Sequence, residues 1–201
     1  MTTLAAGFFG KIPTRGDFVR AGLPGPLVHA LDTWCQDVLP GSRALLGDAW
    51  TEAWMEAPIW RFLLAPGACG PGAAAGLWLP STDKAGRLFP LMILLAAPTW
   101  TDLAHCCPFL DAAESIGLAA IEQDVTPAQL AAALTSALDA TGGAPQPGAQ
   151  PGAQPDAQLD APWPEPPGTL WWTDGSSRVA AARHAHPGLP GPAAFAAMLQ
   201  D

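Results

Sequence analysis

The chain has 201 residues and a formal net charge of −9, a length that fits one domain better than two. Phosphate backbones and anionic membrane surfaces repel such a chain, so neither nucleic acid nor a membrane is an expected partner. Hydrophobic residues make up 49% and charged residues 13%, which is a globular and not a disordered composition.

The N-terminal "MTTLAAGFFGK" carries no basic residue before its short apolar part, so a signal peptide is not expected. Ala5 to Ile12 reads as a strand ended by Pro13. Leu27, Val28, Leu31, Trp34, Cys35, Val38 and Leu39 recur at three- and four-residue spacing, which predicts an amphipathic helix starting after Pro26. "GDAWTEAWMEAP", Gly47 to Pro58, reads as a shorter helix stopped by its proline.

The period then changes. "IWRFLLA", "AAAGLWLPS" and "RLFPLMILLAA" are short apolar runs cut by Gly and Pro, and they predict three buried strands. The segment from Leu88 to Pro98 is too short to span a bilayer, which needs about 20 apolar residues. Two helical patterns follow, one through Leu103, Cys106, Leu110, Ala113, Gly117 and Ile121, the other through Leu130, Leu134 and Leu138 after Pro127.

Residues 142–168 hold 13 Gly or Pro in 27 positions, with "PGAQPGAQPDAQ" repeating a tetrad three times. Such a stretch has no apolar face and cannot offset its own ordering entropy, so an extended or mobile insertion is expected. No P-x-x-P with basic flanks marks it as a docking peptide. Beyond it "TLWWT" and "RVAAARH" read as strands and "GPAAFAAML" as a final helix. A loop that leaves a sheet and returns to it implies one domain, residues 1–201, interrupted by residues 142–168. The expected fold is α/β, a single-domain three-layer sandwich. Its sheet is mixed and partly antiparallel, with about five or six strands and helices on both faces.

Motifs for chemistry are sparse. Cys35, Cys69, Cys106 and Cys107 include no C-x-x-C pair, so they form neither a zinc set nor a disulfide framework. Three of the four sit in apolar helical patterns and read as small buried hydrophobes, and reduced thiols fit a cytoplasmic setting. His29, His105, His184 and His186 offer no third metal ligand at useful spacing, although His184 and His186 can share one face of a strand. Gly7, Gly10 and Lys11 lack phosphate-loop spacing, and no G-x-S-x-G elbow supports a hydrolytic serine. Arg15-Gly16-Asp17 spells an adhesion tripeptide, which occurs often by chance and has no route to an extracellular receptor here. No catalytic residue, metal ligand or cofactor is expected.

Charge is scarce, yet it gathers in two islands. Lys11, Arg15, Asp17 and Arg20 follow the first strand, and Ser81, Asp83, Lys84 and Arg87 occupy the turn in "PSTDKAGRLFP". Arg61 stands alone inside an apolar strand. A buried arginine needs a carboxylate, and Asp83 or Asp17 is its expected partner. These charges either hold loops to the sheet or present a polar surface to a partner. In "LWWTDG", Trp171 and Trp172 point to opposite faces of a strand; one is expected to pack under helices, and the other is left open as a packing residue or an exposed anchor.

Three blocks in order carry a family resemblance. The first is "GFFGKIPTRGDFV" followed by "LDTWCQ" and "SRALLG". The second is "APIWRFLLAPGACG" with "GLWLPSTDKAGRLFPL", and the third is "LWWTDG" with "GLPGPAAFAAML". Together they reach from Gly7 nearly to the C-terminus, and the chain resembles the TagF family, also called ImpM, of type VI secretion accessory proteins. The resemblance implies an α/β sandwich and a non-enzymatic cytoplasmic regulator. Such a protein acts after translation to restrain the secretion machine and is linked to its forkhead-associated scaffold protein. It carries Lys11, Arg15, Asp17, Arg61, Ser81, Asp83, Arg87, Trp171, Trp172 and Asp174 over as block residues with no catalytic role. "TDG" stands where an acidic "TEG" is expected, and the 142–168 insertion is peculiar to this chain. A second reading uses the same Arg, Ser and Asp side chains as an anion- or small-ligand pocket, possible only where Arg15, Arg61 and Arg87 converge. Oligomeric state is left open.

Overall fold

A computed structural model of the chain describes residues 4–104, 106–141 and 164–200. Seven strands form one sheet: β1 (Ala5–Gly10), β2 (Val19–Ala21), β3 (Trp60–Leu64), β4 (Ala73–Leu79), β5 (Leu91–Ala97), β6 (Thr169–Thr173) and β7 (Ala182–His186). Their order is β2-β1-β5-β4-β3-β6-β7. Every pairing in it is antiparallel. The helices are α1 (Gly25–Leu46), α2 (Trp50–Glu56), α3 (Cys107–Glu122), α4 (Pro127–Ala140) and α5 (Pro192–Met198).

The expected mixed sheet of five or six strands is therefore corrected to seven antiparallel ones. The additional strand is β2, three residues long, which pairs Val19 with Gly10 and Ala21 with Phe8. So short a strand carries no alternation that sets it apart from a loop. The sheet is uniformly antiparallel because β3, β4 and β5 follow one another as a meander over short connections. Through α3 and α4 the chain then returns to the other side of the meander, where β6 pairs with β3.

Alternation along the strands builds two apolar layers. Trp60, Phe62 and Leu64 of β3 share a cluster with Trp34, Trp54, Trp78, Trp171 and Phe195, on the face covered by α1, α2 and α5. Leu63, Leu77 and Ile93 join Phe109, Leu110, Leu130 and Leu134 under α3 and α4. β4 and β5 are buried along their whole length, which is why they read as unbroken apolar runs. Most of the buried indoles use their N–H. Trp34 donates to the Pro190 carbonyl and Trp60 to that of Met198, tying α1 and β3 to the C-terminal segment. Trp78 Nε1 has no partner among the described residues.

Helix ends follow local rules. Pro26 and Pro127 sit in the first turns of α1 and α4, where the missing N–H costs nothing. Thr126 and Gln129 close a reciprocal capping box on α4. α1 continues past Pro40 to Leu46, further than its apolar period suggests. Gly41, one residue on, is packed against Pro192 of α5, so tertiary contact supports the turn that the proline weakens. No helix among the described residues is long and apolar enough to cross a membrane. Of the expected insertion, residues 142–163 lie outside the described residues, as does His105. The insertion's last residue is tied in: Ala65 N–H donates to the Gly168 carbonyl at 3.0 Å.

Candidate functional site

One end of the sheet collects the end of β1, the start of β5, the end of β4, the start of β3 and the end of β6. Nearly all the residues singled out from sequence lie at or just beyond this end, and they divide into two separate clusters.

The first cluster is built around Asp83. Gly10 ends β1 at φ 141°, a conformation that suits glycine, with its α-carbon so close to the Pro90 carbonyl that a β-carbon would collide with it. This approach seats Lys11, whose N–H donates to the Pro90 carbonyl at 3.2 Å. The Lys11 side chain turns inward and its ammonium donates to Asp83 Oδ2 at 2.8 Å. Arg87 Nε donates to the same oxygen at 2.6 Å, while Ala85 and Arg87 N–H both donate to Oδ1 at 2.9 Å. Asp83 is only 2% exposed, yet four donors surround its carboxylate. The hydrogen bond from Lys11 leads in holding its pKa far below the usual carboxylate range; burial opposes it, and the Arg87 and Ala85 donors add to it.

The same turn grips the loop after β1. Arg87 Nη2 donates to the Gly16 carbonyl at 2.7 Å, and Lys84 N–H donates to the Arg15 carbonyl at 2.9 Å. Ser81 Oγ donates to the Lys11 carbonyl at 2.9 Å, and its own carbonyl accepts from Trp54 Nε1 of α2 at 3.3 Å. Lys11, Ser81, Asp83 and Arg87 thus form an internal network that stitches two loops and α2 together. Arg15 and Asp17 do not join it through their side chains. Both are exposed, and neither has an ion pair with a described residue.

The second cluster centres on Arg61. Alternation sends Arg61 to the α3 face, opposite Trp60 and Phe62, so neither Asp17 nor Asp83 is its partner. Its Nη1 donates to Asp111 at 2.7 Å, and its Nε and Nη2 donate to Glu114 at 3.1 and 2.9 Å. Burial pulls the guanidinium pKa down, but Asp111 and Glu114 outweigh it and hold it above its ordinary value. These two carboxylates were missed in the sequence. The available signal was their i, i+3 spacing on a helix that must cover a strand holding one arginine. Arg61 and Glu114 line a polar pocket of about 100 Å³ with Ile59, Thr173, Asp174 and Gly175. Asp174 itself is exposed.

The two tryptophans part as alternation requires. Trp171 is fully buried between Phe62 and Trp34, with ring centroids 4.6 and 5.5 Å away, and its indole donates to Thr169 Oγ1. Trp172 is half-buried on the α3 face, so the open question resolves to partial packing. His184 and His186 do share a face, but it is the half-buried one. His184 lies 5.4 Å from the Trp60 ring, and burial, with His184 as its neighbour, lowers the pKa of His186.

The convergence that an anion pocket requires is not found. Arg61 is taken by two carboxylates of α3, Arg87 by Asp83 and the Gly16 carbonyl, and Arg15 stands in solvent. Among the described residues no group of three or more His, Cys, Asp or Glu is placed to hold a metal ion. All four cysteines are buried. Burial pushes Cys69 up to about 12 and Cys35 well above the usual thiol range. At the opposite end of the sheet an apolar groove of about 380 Å³ opens between Leu27, Leu64, Ala96 and the Cys69–Gly72 turn.

One residue of the first cluster escaped the sequence reading. Phe18 follows Asp17 and is 51% exposed. It stacks on Phe9 with centroids 5.8 Å apart and meets Phe89 edge-on at 4.7 Å, while the Lys11 ammonium lies 5.1 Å from its ring centre. A phenylalanine inside an otherwise charged loop was the signal.

The arrangement has counterparts among known proteins. Residues 7–137 match the family model described as the TagF N-terminal domain, type VI secretion system-associated. A comparison with curated proteins found no match. Among solved structures the chain is similar to PA0076 from Pseudomonas aeruginosa PAO1. The identity is 28% and the TM-score 0.69, over 97% of this chain and 94% of that one. The matched span holds both charged loops, the Asp83 turn and Arg61, and so the first two blocks; the third, residues 170–199, lies beyond it. The chain belongs to the TagF family of type VI secretion system-associated proteins.

Proposed function

We propose that this protein is a cytoplasmic, non-enzymatic negative regulator of the type VI secretion system that works after translation by binding the system's forkhead-associated scaffold protein. Family membership supports the secretion context. The observation that carries the binding role is the pinned loop Lys11–Arg20. Its backbone is fixed by the Asp83 turn, while Arg15 and Asp17 stand free in solvent. A fold that spends a buried ion pair and several hydrogen bonds on holding an exposed charged loop has prepared that loop for recognition. Ser81, Asp83, Lys11 and Arg87 act from beneath as the support. Their polar atoms are engaged with one another, which leaves no readable nucleophile–base pair and favours a binding module over an enzyme.

The test is a pull-down of the full chain with the cognate forkhead-associated scaffold. Arg15→Ala with Asp17→Ala is expected to abolish capture while the circular dichroism spectrum stays native. Capture undiminished in the folded double variant would remove this loop as the binding surface.

A further inference from the structure

Five of the chain's nine cationic side chains, Lys11, Arg15, Arg20, Lys84 and Arg87, lie in or beside the two pinned loops. Within the loops themselves only two carboxylates accompany them, and Asp124 borders the first loop, where Thr14 donates to the Val125 carbonyl at 3.1 Å. Asp83 is buried and fully engaged; Asp17 is exposed. This is a basic face on a protein whose net charge is −9. Arg15, Arg20 and Lys84 are exposed with no ion pair to any described residue, and the Arg87 side chain is 65% exposed although one of its nitrogens holds Asp83. The register puts Arg20 directly opposite Phe9, so its side chain leaves on the same face as the ring that supports Phe18. Phe18 stands among these cations as a half-exposed aromatic ring, fixed by two phenylalanines beneath it.

Resting on the reading of this loop as the binding surface, we propose that the face centred on Phe18 docks an acidic protein segment bearing an apolar side chain that covers the Phe18 ring. Charge complementarity selects the occupant. A carboxylate-rich segment is repelled by the rest of this molecule and attracted here, which guides it to one place. The aromatic ring supplies the desolvated anchor that charges alone do not provide. The Lys84–Arg15 and Arg87–Gly16 backbone ties hold the loop before binding, so little ordering remains to be done. Duplex nucleic acid fits less well, because the acidic remainder of the surface opposes a long polyanion.

The experiment titrates the ¹⁵N-labelled full chain with a synthetic peptide of alternating Glu and Asp around a central Leu-Phe. Amide shifts are expected in Arg15–Arg20 and Lys84–Arg87. Arg15→Glu with Lys84→Glu, at two exposed positions, with the fold checked by circular dichroism, should weaken the peptide by about tenfold or more, and Phe18→Ser by a similar factor. Raising the salt should weaken it further. A peptide with Gln for every acid should not bind, and Leu118→Ser on α3 should change nothing. Absence of shifts in these loops, unchanged affinity in the charge-reversed chain, or tighter binding of a DNA or RNA oligomer at the same amides would each overturn the proposal. A parallel pull-down with the forkhead-associated scaffold separates the two ideas. Scaffold captured equally by wild type and the charge-reversed chain overturns this face and leaves the regulator standing. Peptide bound at Phe18 without scaffold capture supports this face and removes the regulator's assigned partner.

Discussion

Lys11 and Asp83 are separated by 72 positions in the chain and joined by a hydrogen-bonded ion pair of 2.8 Å in the fold. The pair closes the end of β1 onto the turn between β4 and β5. It is the point from which the loop carrying Arg15, Asp17 and Phe18 is held.

Because both members are buried, removing Asp83 leaves the Lys11 ammonium without its carboxylate, while removing Lys11 leaves Asp83 with Arg87 and two amides alone. Asp83→Ala and Lys11→Met should each lower the melting temperature by several degrees, and Asp83→Ala the more, since it also frees the Ala85 and Arg87 amides. The double variant Lys11→Met with Asp83→Leu should be less damaged than the two single losses added together, because it leaves no orphaned charge. Strict additivity in thermal unfolding would show that the two side chains act independently.

The pair also sets a pH dependence. The Asp83 carboxyl titrates lower in the folded protein than in the unfolded chain, so its contribution to stability is complete above the unfolded value of about 4 and is lost as pH falls through the folded one. Wild type should therefore be more stable than Asp83→Asn at neutral pH, with the difference shrinking below about pH 4. Thermal unfolding of both proteins from pH 7 to pH 2 measures this. A difference constant across that range would mean that the carboxylate's charge does not hold the turn.

Arg61 tests the second cluster. Its side chain is 18% exposed, but those of Asp111 and Glu114 are 54% and 31% exposed, so solvent screens the pair. Arg61→Ala should cost about 1–2 kcal/mol, between the values typical of surface and buried pairs. Urea unfolding in low and high salt checks it, with a smaller cost expected in high salt. A loss as large as that of a fully buried pair would show that the α3 contact is drier than its exposure indicates.

Two glycines of the same loop should behave oppositely. Gly10→Ala would push a β-carbon into the Pro90 carbonyl at a positive φ, and the chain should fold poorly or melt far earlier. Gly16→Ala meets open space and should be tolerated, with the fold unchanged by circular dichroism. Melting temperatures of the two variants check this, and a Gly16→Ala chain as damaged as Gly10→Ala would contradict it.

The cysteines give a simple chemical check. All four are buried, and burial holds Cys69 near 12 and Cys35 well above the usual range. A thiol reagent at pH 8 should label the native chain slowly and release all four sites on denaturation. Fast labelling of any one in the native state would mark a thiol more accessible than its place in the fold allows.

Much of this protein was legible in its sequence because local rules act at short range. Strands β3, β4 and β5 announce themselves as apolar runs, α4 by its proline and capping box, and Trp171 and Trp172 by simple alternation. The family blocks add the secretion context and place Lys11, Asp83 and Arg87 among the residues that matter. Tertiary structure alone decided the pairings. Lys11 and Asp83 meet only because β1 and β5 lie side by side, and Arg61 takes Asp111 and Glu114 because α3 crosses its face of the sheet. No residue spacing encodes a contact between segments this far apart. β2 also emerged only from its partner, since three residues carry too little alternation to declare a strand. The exposure of Phe18 was settled the same way. Its ring is half covered by Phe9 and Phe89, from two other segments, and that packing leaves a rigid aromatic edge among free arginines.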